Sequence, residues 1–140
     1  MTTSGSEKSK RAFRLAIGAR LIDPPPHRGE IFAADLDPIV GHEQEGRRPF
    51  MVLSLQAMNQ APAGLVIGVP LTTTEGTSNL HVRIEPGDSG LPRVSYAMPE
   101  MLRSISTKRF HGHIGRADRD AFELASARAG FLIGLGRKKF

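Results

Sequence analysis

Short apolar runs separated by polar turns dominate the sequence from residue 30 to residue 114. Apolar side chains alternate or cluster over stretches of about four to eight residues, with Gly, Pro, Asp or Ser between them, which is the pattern of short β-strands. Strands are expected at 31–36, 50–53, 65–69, 81–84, 94–97, 101–105 and 111–114, with one helical turn within 57–64. This series of short strands predicts a mostly β fold, a small antiparallel barrel or sandwich.

The last part of the chain changes to a helical period. Apolar residues recur every three or four positions, at Phe122, Ala125, Ala129, Leu132 and Leu135. They are expected to form the buried face of one C-terminal helix packed against the curled sheet. Asp118 is the expected N-cap, with Asp120 and Glu123 in the first turn, where the helix dipole favours carboxylates. Gly136 is the expected stop.

The first 27 residues differ from the rest in composition. Residues 1–10 are small and polar, whereas residues 11–22 place Phe13, Ile17 and Leu21 four apart, as in a short amphipathic helix. Prolines at 24–26 predict a stiff spacer. We therefore expect a flexible, basic extension over residues 1–27 and one folded domain over residues 28–140. The extension is too short and too rich in arginine to span a membrane.

Composition limits the available chemistry. The 140 residues include no cysteine, which excludes disulfides, thiolate metal sites and cysteine nucleophiles and is typical of a reducing cytoplasm. The net charge is +5, but the positive charge is concentrated in the N-terminal extension and in the last few residues. Any affinity of the folded body for phosphate must therefore come from local clusters of arginine.

One polar loop concentrates reactive side chains. Between Val40 and Phe50 the sequence reads GHEQEGRRP, without an apolar residue. Such a loop lies at the surface, where functional side chains are common. Pro49 restricts the preceding residue to an extended backbone, so Arg48 is expected to enter the next strand with its guanidinium held at the rim of the barrel.

Four motifs, in this order, resemble the MazF/PemK family of toxin endoribonucleases from bacterial toxin–antitoxin systems: RGEIFAADLDP, GHEQEGRRPFMVLS, VPLTTT and LPRVSYAMPEMLRSIS. The resemblance implies an SH3-like antiparallel barrel of the CcdB/PemK type. It also implies a sequence-specific, metal-independent endoribonuclease, an mRNA interferase that cleaves single-stranded RNA to 2′,3′-cyclic phosphate and 5′-hydroxyl ends. The implied protein is a cytoplasmic homodimer, neutralised by a cognate antitoxin whose disordered tail folds onto it.

The resemblance also implies roles for individual residues. RNA cleavage without a metal needs a base, an acid and donors aimed at the phosphorane oxygens. Arg48 matches the arginine of the family's G-x-R-P motif and would stabilise charge, because a guanidinium forks onto phosphate oxygens. Thr72 would donate to the scissile phosphate. His42 would shuttle a proton, and Glu100 would act as the base or orient His42.

Three further residues, Arg47, Thr73 and Arg103, are expected to bind RNA. Met98 and Met101 depart from the family pattern, because an arginine and a glutamine respectively stand at these positions in relatives. Two non-catalytic alternatives therefore stay open: a CcdB-like gyrase poison on the same barrel, or a degenerate homologue that binds RNA or the antitoxin.

Each candidate also has a purely structural interpretation. Arg48 could be a surface arginine paired with Glu43 or Glu45, and Glu100 a surface acid or a partner of Arg103. Histidines 81, 111 and 113 are expected to be ordinary strand residues. No cluster of His, Cys or carboxylates suggests a metal site, so neither a metal nor another cofactor is expected.

Overall fold

A computed structural model describes residues 24–36 and 46–136 of the chain. Its strands, all paired antiparallel, are β1 (Glu30–Asp35), β2 (Arg47–Val52), β3 (Leu65–Thr72), β4 (Val82–Ile84), β5 (Ser95–Ala97), β6 (Arg103–Ser106) and β7 (Phe110–Arg116). A one-turn helix, α1 (Gln56–Asn59), follows β2, and a longer helix, α2 (Arg119–Leu132), follows β7. Short 3₁₀ turns cover Pro99–Met101 and Thr107–Arg109.

The predicted fold class is confirmed: a curled antiparallel sheet forms a half-barrel with a helix after the last strand. Some predicted boundaries were wrong. Strand β3 continues through Pro70 to Thr72, and Met101 lies in a 3₁₀ turn and not in β6. The turn begins at Pro99, which has no backbone N–H to donate to a strand ladder and therefore favours a break in the sheet.

Strand β3 pairs with two different strands in addition to β2. Its first half, Leu65–Gly68, pairs with β6, whereas Leu71 and Thr72 pair with β5. Pro70 lies where the partner of β3 changes from β6 to β5. It has no backbone N–H to donate, but its carbonyl accepts a hydrogen bond from the Met98 N–H at 3.1 Å. The strand order β4-β5-β3-β2-β1-β7, with β6 also on β3, produces the curled sheet.

Apolar side chains cover both faces of the sheet. On one side, which we call the helix face, the strand residues Ile31, Met51, Val69 and Leu71 belong to the core. They form one cluster with three small residues of α2, Ala121, Ala125 and Ala129. The opposite side, the aromatic face, carries a second cluster that includes Phe32, Ala34, Phe50, Val66, Ile105 and Phe110. The rings of Phe32 and Phe110 stack with centroids 4.4 Å apart. Residues that alternate along a strand therefore belong to different clusters.

Helix α2 begins as predicted but buries a different stripe. The Ala121 N–H donates to the Asp118 carboxylate at 2.7 Å, so Asp118 is the N-cap. At the other end the expected apolar face was wrong, because Leu132 and Leu135 are exposed. The helix stops at Leu132, and Gly134 takes a left-handed backbone (φ 91°) that turns Leu135 out of the helical series.

The chain enters the folded body at the prolines. Pro26 is buried, and its carbonyl accepts a hydrogen bond from Asn59 Nδ2 at 2.8 Å. Arg28 donates to the Leu53 carbonyl and lies over the ring of Phe122. The segments predicted to be flexible (residues 1–10) and helical (residues 11–22), and the basic residues 137–139, lie outside the described residues. In the described part, no helix is long and apolar enough to cross a membrane.

Candidate active site

Arg48 and Thr72 lie on the same face of neighbouring strands. Arg48 is paired with Ala34 of the aromatic face, and β2 pairs with β3 through Phe50 and Pro70. The β2–β3 pairing ends at this pair, and Arg48 and Thr72 each lie two residues beyond it on their strands. By strand alternation both side chains leave the sheet on the same side as Phe50, which is the aromatic face. The guanidinium and the hydroxyl therefore lie on one face, at the strand ends beyond the Phe50 ring.

The hydroxyl of Thr72 is oriented by its own turn. The N–H of Thr74 donates to Thr72 Oγ1 at 3.2 Å, in a tight turn that ends β3. Because the oxygen is the acceptor in this contact, the hydroxyl proton is available to donate elsewhere. Thr72 is partly buried, whereas Thr73 is exposed and lies in the bend beyond the end of β3.

Arg47 lies on the opposite face from Arg48. It is paired with Asp35 across the strands, with Arg47 Nε 3.9 Å from Asp35 Oδ1, and its side chain is 62% exposed. Asp35 also accepts a hydrogen bond from His111 Nε2 at 2.7 Å. The structure therefore separates the two adjacent arginines that the sequence grouped together.

Glu100 has a histidine partner that sequence reasoning missed. In the 3₁₀ turn after β5, Glu100 Oε2 accepts a hydrogen bond from His81 Nε2 at 2.7 Å, and the His81 side chain is only 15% exposed. The expected alternative partner, Arg103, is not the one observed. The two residues are 19 apart in sequence, so no local motif marks them. His42, which Glu100 was expected to orient, lies outside the described residues.

Arg103 is a second cation on the aromatic face. It lies on β6 opposite Gly68 and is partly buried. The side chain makes no hydrogen bond or ion pair with the residues that the structure describes. Gly68 precedes Thr72 on β3 by about 13 Å of strand. Arg103 is thus positioned to contact a ligand that runs along this face from Thr72.

A charged cluster occupies the other edge of the aromatic face, between β1 and β7. Glu30 Oε2 lies 3.2 Å from His113 Nε2, and Glu30 Oε1 accepts the His27 backbone N–H at 2.7 Å. Burial alone would raise the pKa of the Glu30 carboxyl. Hydrogen bonds from His113 and from the His27 backbone, and the attraction of the two imidazoles, outweigh burial and lower this pKa below its ordinary value. On the opposite face, Asp35 Oδ2 accepts a hydrogen bond from His111 Nε2, so both histidines of β7 have carboxylate partners.

These groups suit chemistry on a phosphodiester. A guanidinium and a hydroxyl donor border one surface, and a second guanidinium lies on the same face; both kinds of donor stabilise charge on phosphate oxygens. The Glu100 carboxylate is a proton acceptor by its chemistry, but its partner His81 lies beside α2, where the Arg128 guanidinium donates to the His81 carbonyl at 2.9 Å. Among residues 24–36 and 46–136, no group of three or more His, Cys, Asp or Glu is arranged to hold a metal ion.

Known families and proteins match most of this chain. A family model described as "PemK-like, MazF-like toxin of type II toxin-antitoxin system" matches residues 27–130. Endoribonuclease EndoA of Bacillus subtilis is 32% identical over 92 residues, which cover 65% of this chain and 79% of that protein. Endoribonuclease MazF9 of Mycobacterium tuberculosis is 38% identical over 104 residues, which cover 70% and 86%.

Solved structures agree with these matches. The crystal structure of MazF from Deinococcus radiodurans superposes with a TM-score of 0.68 at 29% identity, over 81% of this chain and 100% of that one. A MazE–MazF crystal structure from the same organism gives a TM-score of 0.65 at 29% identity, over 81% and 99%.

Proposed function

This chain belongs to the PemK-like, MazF-like toxins of type II toxin–antitoxin systems, and we propose on that premise that it is an endoribonuclease inhibited by a cognate antitoxin. The catalytic part of the proposal is supported by the positions of Arg48 and Thr72 on neighbouring strands, where alternation directs both side chains to the aromatic face. Relatives named as endoribonucleases, and a MazE–MazF complex among similar structures, support the toxin and antitoxin roles.

In the proposed reaction, the scissile phosphate lies between Arg48 and Thr72. The 2′-hydroxyl oxygen attacks phosphorus, the bond from phosphorus to the 5′-oxygen breaks, and the products carry a 2′,3′-cyclic phosphate and a 5′-hydroxyl. Arg48 stays charged throughout and stabilises the phosphorane oxygens through its forked N–H groups. The Thr72 hydroxyl donates to the same group of oxygens, because its oxygen already accepts the Thr74 N–H.

Proton transfer completes the reaction. A base takes the proton of the 2′-hydroxyl, and an acid returns one to the leaving 5′-oxygen. We assign these two steps to Glu100 and His42, without deciding which group is the base. His81 acts as a positioning residue, since its hydrogen bond at 2.7 Å orients the Glu100 carboxylate.

The substrate is single-stranded RNA, read at a short sequence, because specific recognition of RNA normally requires unpaired and splayed bases. Arg103 supplies a cation for the RNA backbone on the same face as Thr72. Met98 stands where the family pattern has an arginine, so phosphate binding rests more heavily on Arg48 and Arg103. The proposed protein acts as a homodimer in the cytoplasm.

Cleavage mapping with two adjacent variants tests this proposal. Purified protein is incubated with a long RNA in EDTA, and the new ends are mapped. Discrete cuts are expected for the wild type, and Arg48→Ala should lose at least ~100-fold in rate, the usual effect of removing a charge-stabilising donor. Arg47→Ala is the matched control, because Arg47 lies on the opposite face; its loss should stay within about fivefold.

Three outcomes would contradict the proposal. If Arg47→Ala lost as much cleavage rate as Arg48→Ala, the effect would not depend on the aromatic face, and the proposed site would be wrong. Cuts that disappear in EDTA and return with a divalent ion would refute the metal-independent reaction. Inhibition of DNA gyrase supercoiling by a protein that makes no RNA cuts would identify the CcdB-like alternative.

A further inference from the structure

The surface that carries Arg48 and Thr72 continues across two more strands. Thr72 of β3 is paired with Tyr96 of β5, and Tyr96 is paired in turn with Arg83 of β4. Residues paired across strands point to the same face, so Arg48, Thr72, Tyr96 and Arg83 form one row, which we call the polar row. Neighbouring strands are about 4.8 Å apart, which makes the polar row roughly 14 Å long.

The aromatic ring of Tyr96 is only partly packed against the rest of the protein. Its neighbours Ser95 and Ala97 are buried, at 3% and 0% exposure, whereas Tyr96 is only partly covered. Within the described residues the Tyr96 ring has no aromatic partner and its hydroxyl makes no hydrogen bond. A ring that packed as core would be buried, and its hydroxyl would normally be paired.

Arg83 places a positive charge at the end of the polar row. Its side chain is 56% exposed, and Nε lies 2.6 Å from Glu85 Oε2. The hydrogen bond and the charge of Glu85 raise the pKa of the Arg83 guanidinium, with smaller contributions from Tyr96 and Glu75. The two terminal nitrogens make no hydrogen bond with described residues, so they can contact a phosphate while Nε keeps its partner.

We propose that Tyr96 and Arg83 extend the RNA-binding surface on one side of the scissile phosphate. One flanking base stacks on the Tyr96 ring, and the next backbone phosphate contacts Arg83. Aromatic rings beside cations are the usual means of holding single-stranded RNA, because every base offers a flat face for stacking. Tyr96 is then a binding residue for the nucleotide beside the cut. This inference rests on the proposed function and deepens it.

Fluorescence reports on this contact directly. The chain contains one tyrosine and no tryptophan, so Tyr96 is the only source of intrinsic tyrosine emission. The probe is a short single-stranded RNA that spans a mapped cut and is 2′-O-methylated there, so that it binds without being cleaved. Saturable quenching of the emission is expected, at the concentrations where the anisotropy of a labelled copy shows binding. Binding without any change in emission would overturn the inference.

Kinetics of matched variants give a second test. Tyr96→Leu keeps apolar bulk without a ring and should raise KM about tenfold to a hundredfold, with little change in kcat, given the energy of one base stack. Tyr96→Phe should behave like the wild type. Arg83→Gln should raise KM and reduce the salt dependence of binding by roughly 0.7 in log–log slope, for one lost phosphate contact. Arg119→Gln is the control, because Arg119 is 84% exposed on α2, which packs on the helix face.

The results separate this inference from the proposed function. If the wild type cuts RNA but both variants keep its KM and cleavage pattern, only the extension of the surface fails. If the wild type neither cuts nor binds the probe, both fail. Should Tyr96→Leu unfold, as judged by circular dichroism, the fluorescence titration and Arg83→Gln still decide.

Discussion

Replacing Thr72 by valine removes one hydroxyl group with little change in shape. In the structure this hydroxyl accepts the Thr74 N–H at 3.2 Å and borders the same surface as Arg48. If the hydroxyl donates to the phosphorane, its removal should lower kcat about 10²- to 10³-fold, or about 2.7–4 kcal/mol, the measured range for one such donor. KM should change much less, because the interaction strengthens only as charge develops.

The cost to folding should be far smaller than the cost to catalysis. Thr74 is exposed, so water can replace the oxygen that its N–H loses, and the free energy of unfolding should fall by less than about 1 kcal/mol. Valine is also well suited to a strand. A large loss of activity with an almost unchanged melting temperature is therefore the signature of a lost donor.

Initial rates on a short RNA with one mapped cut provide kcat and KM, and thermal unfolding is measured on the same preparations. Thr72→Ser keeps a hydroxyl and should retain most of the activity. Thr73→Val is the positional control, since Thr73 is exposed in the bend beyond the end of β3. The reasoning is refuted if Thr72→Val retains kcat within about threefold, well short of the loss expected for a donor. An equal loss in Thr73→Val would refute it as well.

Two further predictions concern the scaffold. Gly68→Ala would place a Cβ atom 2.1 Å from the Met51 carbonyl oxygen and 2.7 Å from a Phe50 ring carbon. We therefore expect the free energy of unfolding, measured in urea, to fall by about 3 kcal/mol or more. Gly76→Ala is the control and should be neutral, because a Cβ atom there would meet nothing within 4 Å. Glu30→Gln should lower stability at neutral pH by about 1–2 kcal/mol. Because the pKa of Glu30 is lowered in the folded state, its contribution is present above 4.5 and is lost as pH falls through the folded value. The variant should therefore lose less stability than the wild type between neutral and acidic pH, and parallel acid-unfolding curves would contradict this.

Local sequence rules predicted most of the strands and the start of the helix. Alternating apolar residues identified β1, and Pro49 correctly predicted that Arg48 is extended, since both depend on near neighbours in the chain. Asp118 as N-cap is equally local. The end of α2 was harder to predict, because Leu132 and Leu135 continue the helical spacing although the chain has already turned at Gly134.

Contacts across strands could not be predicted in the same way. The pairing of His81 with Glu100 depends on where β4 and the 3₁₀ turn lie in the sheet, and neither residue carries a motif for the other. The placement of Arg47 away from Arg48 follows from alternation alone and could have been anticipated once the strand was extended to residue 47. Tyr96 and Arg83 required the order β4-β5-β3, which no local pattern contains.

The pairing of β3 with both β5 and β6 has a consequence for how the RNA-binding surface can vary. In the described part of the chain, β5 connects the β4–β5 pair to the rest of the sheet through Leu71 and Thr72, next to the hydrogen bond from Met98 to Pro70. If Tyr96 and Arg83 bind RNA as proposed, mutations in β4 and β5 can alter binding beside the cut without disturbing the ladder between β1 and β2 that holds Arg48. Under the two proposals, RNA binding beside the cut and bond breaking would depend on different strand pairs of one sheet, so one could change while the other is kept.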